Sequence, residues 1–427
     1  MCSSYPIVFS TPYRAFAEEC RRLQVYNDPP VVMRSTLGTE VEVAGLPRPV
    51  VSFMTFDYLG LGHHTGSIAS LARNAKECGT GFATSRVTID SFFHQELEEA
   101  LACFKRAETG TCVITSTGYG ANQLIIPLLA EPIVALGKRY PKRRKKLFFV
   151  DAQSHASLHD ALLGAISKYP KSIKIKKYRH LDYGMLEEMT REVSSEGNTD
   201  RFIVSDTLFS IGGDCADTKK LLAIAKCNNA FLILDGAHSD GVCGHEGRGL
   251  VEEQGIIDPK DLQYIFHTGT FSKMFAGLGG FITVSKPLAE LCRNSQWSYI
   301  FSAPLPTFLV RSYQEILGMV MGKIGNRRRL RLKRNFQMLW KRLSEEGFQM
   351  LPSQSQILSV VIGSESLCLE VQQYLLREQG ILSGAIRTPA TERGKAVLRH
   401  TVSALHTEEQ LETLVLGLKK ARDAYRF

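Results

Sequence analysis

A lysine stands in a run of small and hydroxylated residues just after an apolar stretch. Residues 269–273 (Gly-Thr-Phe-Ser-Lys) follow the apolar run 264–266 and precede glycines at 277, 279 and 280. The pattern predicts a strand that runs into a tight, glycine-lined turn carrying Lys273. Partial desolvation lowers the pKa of a lysine, and a neutral amine attacks a carbonyl to form a Schiff base. Taken alone, the segment is more typical of a strand end followed by a surface loop.

An acid at the end of a second apolar run changes that balance. Residues 231–234 (Phe-Leu-Ile-Leu) precede Asp235, as in a buried parallel strand that delivers a carboxylate at its C-terminal end. Asp235 lies 38 residues before Lys273, which leaves room for a helix and the next strand. A carboxylate for a pyridinium nitrogen and a lysine for an aldehyde are the protein's half of pyridoxal phosphate (PLP) chemistry. For Asp235 alone, capping of the following helix stays an alternative.

Length and composition are those of an ordinary globular protein. The chain has 427 residues, a hydrophobic fraction of 44% and a net charge of +9, enough for one large and one small domain. Its 10 cysteines form no C-x-x-C pair, so we expect no metal site and a reducing, cytoplasmic location. We predict neither a signal peptide nor a membrane span. No basic stripe is interleaved with aromatic residues, so nucleic acid is not an expected partner.

Strand and helix patterns alternate through the middle of the chain. Short apolar runs occur at 112–115, 147–150, 202–204, 231–234, 264–266 and 281–284, mostly separated by helical patterns. This alternation predicts an α/β fold with a mainly parallel sheet, which binds ligands beyond the carboxyl ends of its strands. We expect an N-terminal arm (1–55) and a large cofactor-binding domain (56–306). A basic linker helix and a small α+β C-terminal domain would follow (307–427).

Two further segments suit a cofactor site of this kind. Residues 116–122 (Ser-Thr-Gly-Tyr-Gly-Ala-Asn) follow a predicted strand and open a helix. Glycines there let a phosphate approach the backbone, and the helix N-terminus favours its charge. His155 comes just after another predicted strand and could lie flat against a cofactor ring, although a lone histidine is more often structural. Each signal is weak by itself, and their order along the chain carries more information.

Taken in order, these segments resemble the α-oxoamine synthases. These are PLP enzymes of aminotransferase-like fold type I and include 8-amino-7-oxononanoate synthase, serine palmitoyltransferase and the α-hydroxyketone autoinducer synthases. The resemblance rests on Asp-Tyr-Leu-Gly-Leu at 57–61, His-Ala-Ser at 155–157, Phe-Ser at 209–210, Ala-His at 237–238 and Gly-Thr-Phe-Ser-Lys at 269–273. It implies a biosynthetic acyltransferase that condenses an amino acid with an acyl thioester (acyl-CoA or acyl carrier protein), with decarboxylation to an α-aminoketone. It also implies a homodimer with the active site at the subunit interface, near residues 301–306.

The resemblance further implies a role for nine positions, two of which, Lys273 and His155, would be catalytic. Lys273 would carry PLP, Asp235 would pair with its pyridine nitrogen, and His155 would stack on its ring. His238 would bond the phenolic oxygen, and Ser210 would lie near the same oxygen. Gly118 and Tyr119 with Thr270 would hold the phosphate, and Arg387 would bind the substrate carboxylate.

The sequence departs from the family pattern at positions that bear on the substrate. Phe56 stands where the family has a substrate-facing asparagine, which predicts a less polar pocket. Gly236 stands where family members commonly have an acid. Seven lysines and arginines lie within 138–146, either as a solvated loop or as a surface that attracts an anionic acyl donor. Two alternatives therefore stay open: another fold type I activity, such as an aminotransferase or lyase, and a catalytically silent PLP-fold binding protein.

Overall fold

The protein folds into two compact units. The structure is a computed structural model that describes residues 7–22, 29–35, 38–130, 133–135, 138–140, 144–193 and 198–427. The larger unit comprises 56–210 and 214–332, and the smaller comprises 1–55, 211–213 and 333–427. The three-part division predicted from the sequence stays a prediction.

The secondary structure follows the alternation predicted from the apolar runs. The N-terminal elements are α1 (Ile7–Arg22), β1 (Val32–Ser35), β2 (Glu40–Val43) and β3 (Val50–Ser52). The next elements are α2 (Thr65–Cys78), α3 (Phe92–Phe104), β4 (Cys112–Thr115), α4 (Gly118–Ala130), β5 (Ile133–Ala135), β6 (Lys138–Tyr140), β7 (Lys145–Asp151), α5 (Ala156–Lys168), β8 (Ile173–Tyr178), α6 (Tyr183–Glu192), β9 (Thr199–Asp206), α7 (Thr218–Cys227) and β10 (Ala230–Asp235).

The second half of the chain is richer in helix. Its elements are α8 (Leu250–Glu253), α9 (Pro259–Leu262), β11 (Ile265–Thr270), α10 (Phe271–Met274), β12 (Gly280–Thr283), α11 (Lys286–Ser295), α12 (Trp297–Ile300), α13 (Thr307–Met321), α14 (Lys323–Glu345), β13 (Ile357–Gly363), α15 (Glu365–Gln379), β14 (Ile381–Leu382), β15 (Gly384–Ile386), β16 (Ala396–Thr401) and α16 (Glu408–Tyr425). None of the helices that the structure describes is long and apolar enough to cross a membrane.

A mixed sheet forms the centre of the larger unit, with its described strands in the order β4-β12-β11-β10-β9-β7-β8. Neighbours from β11 to β8 in that row are parallel. Strand β12 is antiparallel to both β4 and β11. The predicted α/β fold with a mainly parallel sheet is therefore confirmed.

Both faces of this sheet are buried, which explains why its strands are almost continuously apolar. Along β7, Phe148 and Val150 belong to one core cluster and Leu147 and Phe149 to another. Successive side chains of a strand point to opposite faces, so the two clusters lie on opposite sides of the sheet. The rigid central strands thus hold their carboxyl ends at one edge, where side chains can meet a ligand.

Two strands differ from the prediction. Strand β11 continues to Thr270, and all six of its residues are buried. The polar residues His267, Thr268 and Thr270 interrupt the apolar run, so the hydrophobic pattern did not predict this extension. Strand β8 is missing from the predicted set because four of its six residues are Lys or Tyr. It is the edge strand of the row, and lysines are common on edge strands because they discourage pairing with other chains.

The smaller unit contains two sheets that draw on distant parts of the chain. Strands β1, β2 and β3 form a sheet with β14, and β3 and β14 are parallel. Strands β13, β16 and β15 form the second sheet, with antiparallel pairing. Phe53 stacks on His406 with ring centroids 4.4 Å apart. The segment predicted as an N-terminal arm is therefore built into the same unit as the C-terminal elements.

The basic tract at 138–146 is only partly described. Residues 138–140 form β6, which pairs with β5, and residues 141–143 lie outside the described residues. Arg144 and Lys146 both donate to the Asp200 carboxylate, at 2.6 Å each. Two of the seven cations are thus already paired within the fold.

Candidate active site

A cavity of about 240 Å³ lies at the carboxyl ends of the parallel strands in the larger unit. It is formed by the first turn of α4, the loop after β7, the ends of β9 and β10, and the segment from β11 to α10. The lining residues are Thr117, Gly118, Tyr119, Asn122, His155, Ser157, Asp206, Asp235, Ala237, His238, Gly269, Thr270, Ser272, Lys273, Leu278 and Gly279. Seven of the nine positions singled out in the sequence are therefore in this cavity.

Asp235 ends β10 and is almost fully buried. One carboxylate oxygen accepts from the Ala237 backbone N–H at 2.9 Å, and the other accepts from Asn122 Nδ2 at 2.7 Å. The same amide nitrogen also donates to Ser157 Oγ at 2.8 Å. Hydrogen bonds to an ionised carboxylate stabilise its charge, so Asp235 is held as an oriented acceptor.

A second acid, Asp206, lies beside Asp235 at the end of β9. The two residues are paired in register on neighbouring strands. Burial and the neighbouring charge of Asp235 raise the pKa of Asp206 well above its usual value. One Asp206 oxygen accepts from the backbone N–H of His155 at 3.0 Å. Asp206 thus anchors the loop that carries His155.

His155 caps the N-terminus of α5. Its Nδ1 accepts from the Ser157 backbone N–H at 3.3 Å and lies 2.7 Å from Ser157 Oγ. The side chain is exposed and lines the cavity. A cap of this kind fixes the imidazole at one end while leaving its face open to a ligand.

Lys273 lies on the one-turn helix α10, directly after β11. Thr270 begins this turn: its Oγ1 accepts from the Ser272 N–H at 3.2 Å and donates to the Gly279 carbonyl at 3.1 Å. Gly118, in the first turn of α4, lies directly against Thr270, and a Cβ at Gly118 would be 2.6 Å from Thr270 Cβ. Only glycine fits there, and the first turn of α4 therefore closes directly on the segment that carries Lys273.

His238 follows β10 and makes a buried contact with Tyr58. The Tyr58 hydroxyl lies 2.7 Å from His238 Nδ1. Phe56 meets the His238 ring edge-on, with centroids 5.9 Å apart, and its own ring lies 5.5 Å from Lys273 Nζ. An aromatic wall thus borders the lysine at the position where a less polar pocket was predicted.

The chain is similar to known proteins in both sequence and structure. Residues 48–418 match the family described as aminotransferase class I and II. The chain is 32% identical over 395 residues to 8-amino-7-oxononanoate synthase from Nitrosospira multiformis, and the match covers 91% of each chain. It is 31% identical over 404 residues to the enzyme of the same name from Lysinibacillus sphaericus, and that match covers 94% of this chain and 96% of the relative. A serine palmitoyltransferase structure from S. paucimobilis, with a bound PLP–myriocin adduct, superposes with a TM-score of 0.85 at 27% identity and 99% coverage of both chains.

The chain belongs to the α-oxoamine synthases of the class I and II aminotransferase family. As an α-oxoamine synthase it has the PLP fold type I architecture and depends on PLP. It is an acyltransferase that condenses an amino acid with an acyl thioester, with decarboxylation. The family expectation drawn from the ordered motifs is confirmed.

The residues of this α-oxoamine synthase fit the cofactor at both ends of the cavity. At one end, the first N–H groups of α4 have no partners within their helix, and the hydroxyls of Thr270 and Ser272 lie 2.9 Å apart. The close approach of Gly118 to Thr270 completes a cradle suited to a phosphate. At the other end, Asp235 offers an acceptor for a protonated ring nitrogen.

Two predicted positions are not among the residues described as lining the cavity. Ser210 is half-buried at the end of the larger unit's first segment. Arg387 is half-buried just after β15 in the smaller unit, where its carbonyl accepts from Ala390 and Thr391. Their roles stay predictions.

Three residues of the site escaped the sequence patterns. Tyr58 belongs to the quoted Asp-Tyr-Leu-Gly-Leu motif but had no assigned partner. Asn122 ends the glycine-rich turn segment and carries the contact to Asp235, and Asp206 lies at the end of the strand predicted from the apolar run 202–204. The position of each in a quoted motif or at a strand end was the available signal, but the contacts join residues far apart in the sequence.

Proposed function

We propose that the cavity binds PLP and that Lys273 is the residue to which PLP is attached. Asp235 holds the pyridine nitrogen, His238 the phenolic oxygen, and Thr270 with the first turn of α4 the phosphate. The observation that carries this proposal is the convergence of Asp235, His238 and Lys273 on one cavity of about 240 Å³. We extend the proposal to Ser210, near the phenolic oxygen, from the family resemblance alone.

PLP, when bound, supplies an electron sink for a carbanion at the amino-acid Cα. The protein's own residues would do the rest. Asp235, oriented by Asn122, keeps the ring nitrogen protonated. Lys273 Nζ, once the amino acid has displaced the lysine from the cofactor, would move a proton at the substrate Cα. His155, fixed by its cap on α5, presents its ring face and limits the orientations that the bound groups can adopt.

The aromatic wall supports an amino-acid substrate with an apolar side chain. Phe56 lies 5.5 Å from Lys273 Nζ, within reach of a substrate bound there. A polar side chain placed against this ring would lose water without gaining a hydrogen-bond partner, which costs roughly 1–3 kcal/mol in proteins. We therefore propose selection of an apolar amino acid over a hydroxylated one of similar size. Arg387 would bind the substrate carboxylate, a task that suits its planar fork.

We also propose a homodimer in a reducing, cytoplasmic location. Large apolar side chains of the larger unit are exposed in the loop before α3, at the start of α3, on α12 and directly after α12: Val87, Ile89, Phe92, Trp297 and Phe301. Ser85 Oγ donates to the Ile300 carbonyl at 2.9 Å, so these two segments lie together. A contiguous exposed apolar surface is typical of an interface. Light scattering that gives the mass of a fully active monomer would exclude the dimer.

Trapping the attached lysine tests the proposed site. The purified protein, saturated with PLP and reduced with borohydride, should carry the cofactor on Lys273. Lys273→Ala should lose the reduced adduct and the thiol release from an acyl thioester, whereas the matched change Lys260→Ala, on exposed α9, should retain both. An adduct mapped by mass spectrometry to another lysine would refute the assignment.

A further inference from the structure

The buried carboxylate of Asp240 occupies the space where a side chain at position 236 would lie. A Cβ built on Gly236 would lie 2.5 Å from Asp240 Oδ1 and 2.8 Å from Asp240 Cγ. Atoms at such distances overlap. Position 236 therefore has to be glycine while the Asp240 carboxylate keeps its place, which accounts for the missing acid after Asp235.

Two other glycines leave room for the same carboxylate. A Cβ on Gly249, whose φ is +102°, would lie 2.6 Å from Asp240 Oδ1. A Cβ on Gly269 would overlap the Phe281 ring at 2.4 Å and would also lie 2.9 Å from Asp240 Oδ2. Gly236 directly follows Asp235, and Gly269 begins the segment that ends at Lys273. The carboxylate thus packs directly against both segments that carry the cofactor-site residues.

Lys105 supplies the charge opposite this acid. Its Nζ donates to Asp240 Oδ1 at 2.5 Å and to the Arg248 carbonyl at 2.8 Å, and the two side chains are 3% and 1% exposed. Buried His267 also lies near Lys105, and burial together with Lys105 lowers its pKa well below the usual value. Among the described residues, Lys105 is the cation paired with Asp240. Removing one member of a buried pair leaves the other uncompensated.

We propose that Lys105 and Asp240 are positioning residues for the cofactor site. Their ion pair holds the turn after Asp235 against the segment that carries Lys273, and neither residue is among those that line the cavity. The geometry further assigns one shared carboxylate site to positions 236 and 240. An aspartate at 236 would extend its carboxyl carbon about 1.5 Å beyond its Cβ, into the volume that the Asp240 carboxylate fills.

This inference rests on the proposed PLP site, and PLP affinity tests it without any assay of acyl transfer. In the full-length protein, Asp240→Asn keeps the side-chain shape but removes the charge. It should raise the PLP Kd by about tenfold, equivalent to about 1.4 kcal/mol, and should shift the pH midpoint of the cofactor's visible band. The matched variant Asp261→Asn breaks the exposed Lys226 pair and should change neither quantity.

A relocated acid separates positioning from general stability. Gly236→Asp alone should weaken PLP binding, since two carboxylates compete for one space. Gly236→Asp combined with Asp240→Ala should return the PLP Kd to within about threefold of wild type. A double variant that binds PLP no better than Asp240→Ala, or fails to fold, would refute the shared site. An Asp240→Asn protein with a lower melting temperature but wild-type PLP Kd and spectrum would make the pair merely structural, and a wild-type protein without PLP on Lys273 would instead refute the proposed function.

Discussion

Replacement of Phe56 by asparagine should change which amino acid the enzyme prefers. The ring of Phe56 lies 5.5 Å from Lys273 Nζ and is held edge-on against His238 and Tyr58, with centroids 5.9 and 6.2 Å apart. Phe56 is therefore an ordered apolar surface next to the reacting lysine. In the wild type, a substrate hydroxyl at this surface would be desolvated without a partner, whereas Phe56→Asn places an amide donor and acceptor there.

The magnitude follows from the cost of burying an unpaired hydroxyl. That cost is about 1–3 kcal/mol in proteins, which corresponds to a discrimination of about 5- to 150-fold. Wild type should therefore prefer alanine to serine by a factor in this range, and Phe56→Asn should remove most of the preference.

The assay measures kcat/KM for alanine and serine with one acyl-CoA, by release of the thiol, on protein saturated with PLP. The ratio of the two values cancels losses that affect both substrates equally. Phe56→Leu is the matched control, since it shortens the side chain but keeps it apolar, and it should retain the alanine preference. The reasoning fails if Phe56→Asn leaves the ratio unchanged, or if Phe56→Leu shifts it equally.

Two further predictions concern charged groups away from this wall. Arg387→Ala should raise the amino-acid KM by roughly thirtyfold, since a charge-assisted contact to a carboxylate is worth on the order of 2 kcal/mol; the thioester KM should barely move, and equal effects on both substrates would argue against the role. Burial opposes the charge on His180, but hydrogen bonds to Asp151 and Asp214 outweigh it and raise the pKa of His180 to about 9. Because this pKa is raised, the stabilisation by His180 is complete below about pH 6.5 and is lost as pH rises through about 9. Urea unfolding at about pH 5.5 and about pH 10 should show a difference between wild type and His180→Asn of about 1–2 kcal/mol at the lower pH that disappears at the higher pH, after allowance for partial solvent screening; a constant difference would contradict it.

Most of the cofactor site was predictable from the sequence because the fold class places it. Asp235, His155 and Lys273 each follow an apolar run, and parallel strands present their carboxyl ends at one edge of the sheet. Residues of this kind lie at that edge whatever the strand order, but the observed order, with β10 beside β11, brings Asp235 close to the segment that carries Lys273. The glycine-rich turn at 116–122 was predictable for the same reason, because a helix N-terminus after a strand lies at that edge too.

The tertiary structure decided which side chains touch across long stretches of chain. Tyr58 contacts His238 from 180 residues away, Asn122 contacts Asp235 across 113 residues, and Lys105 reaches Asp240 across 135. Periodicity assigns a residue to a face of a helix or strand, but packing between elements selects its partner. Gly236 is the clearest case: in the sequence it is a missing acid, and only the position of the Asp240 carboxylate shows that no side chain fits there while Asp240 keeps its place.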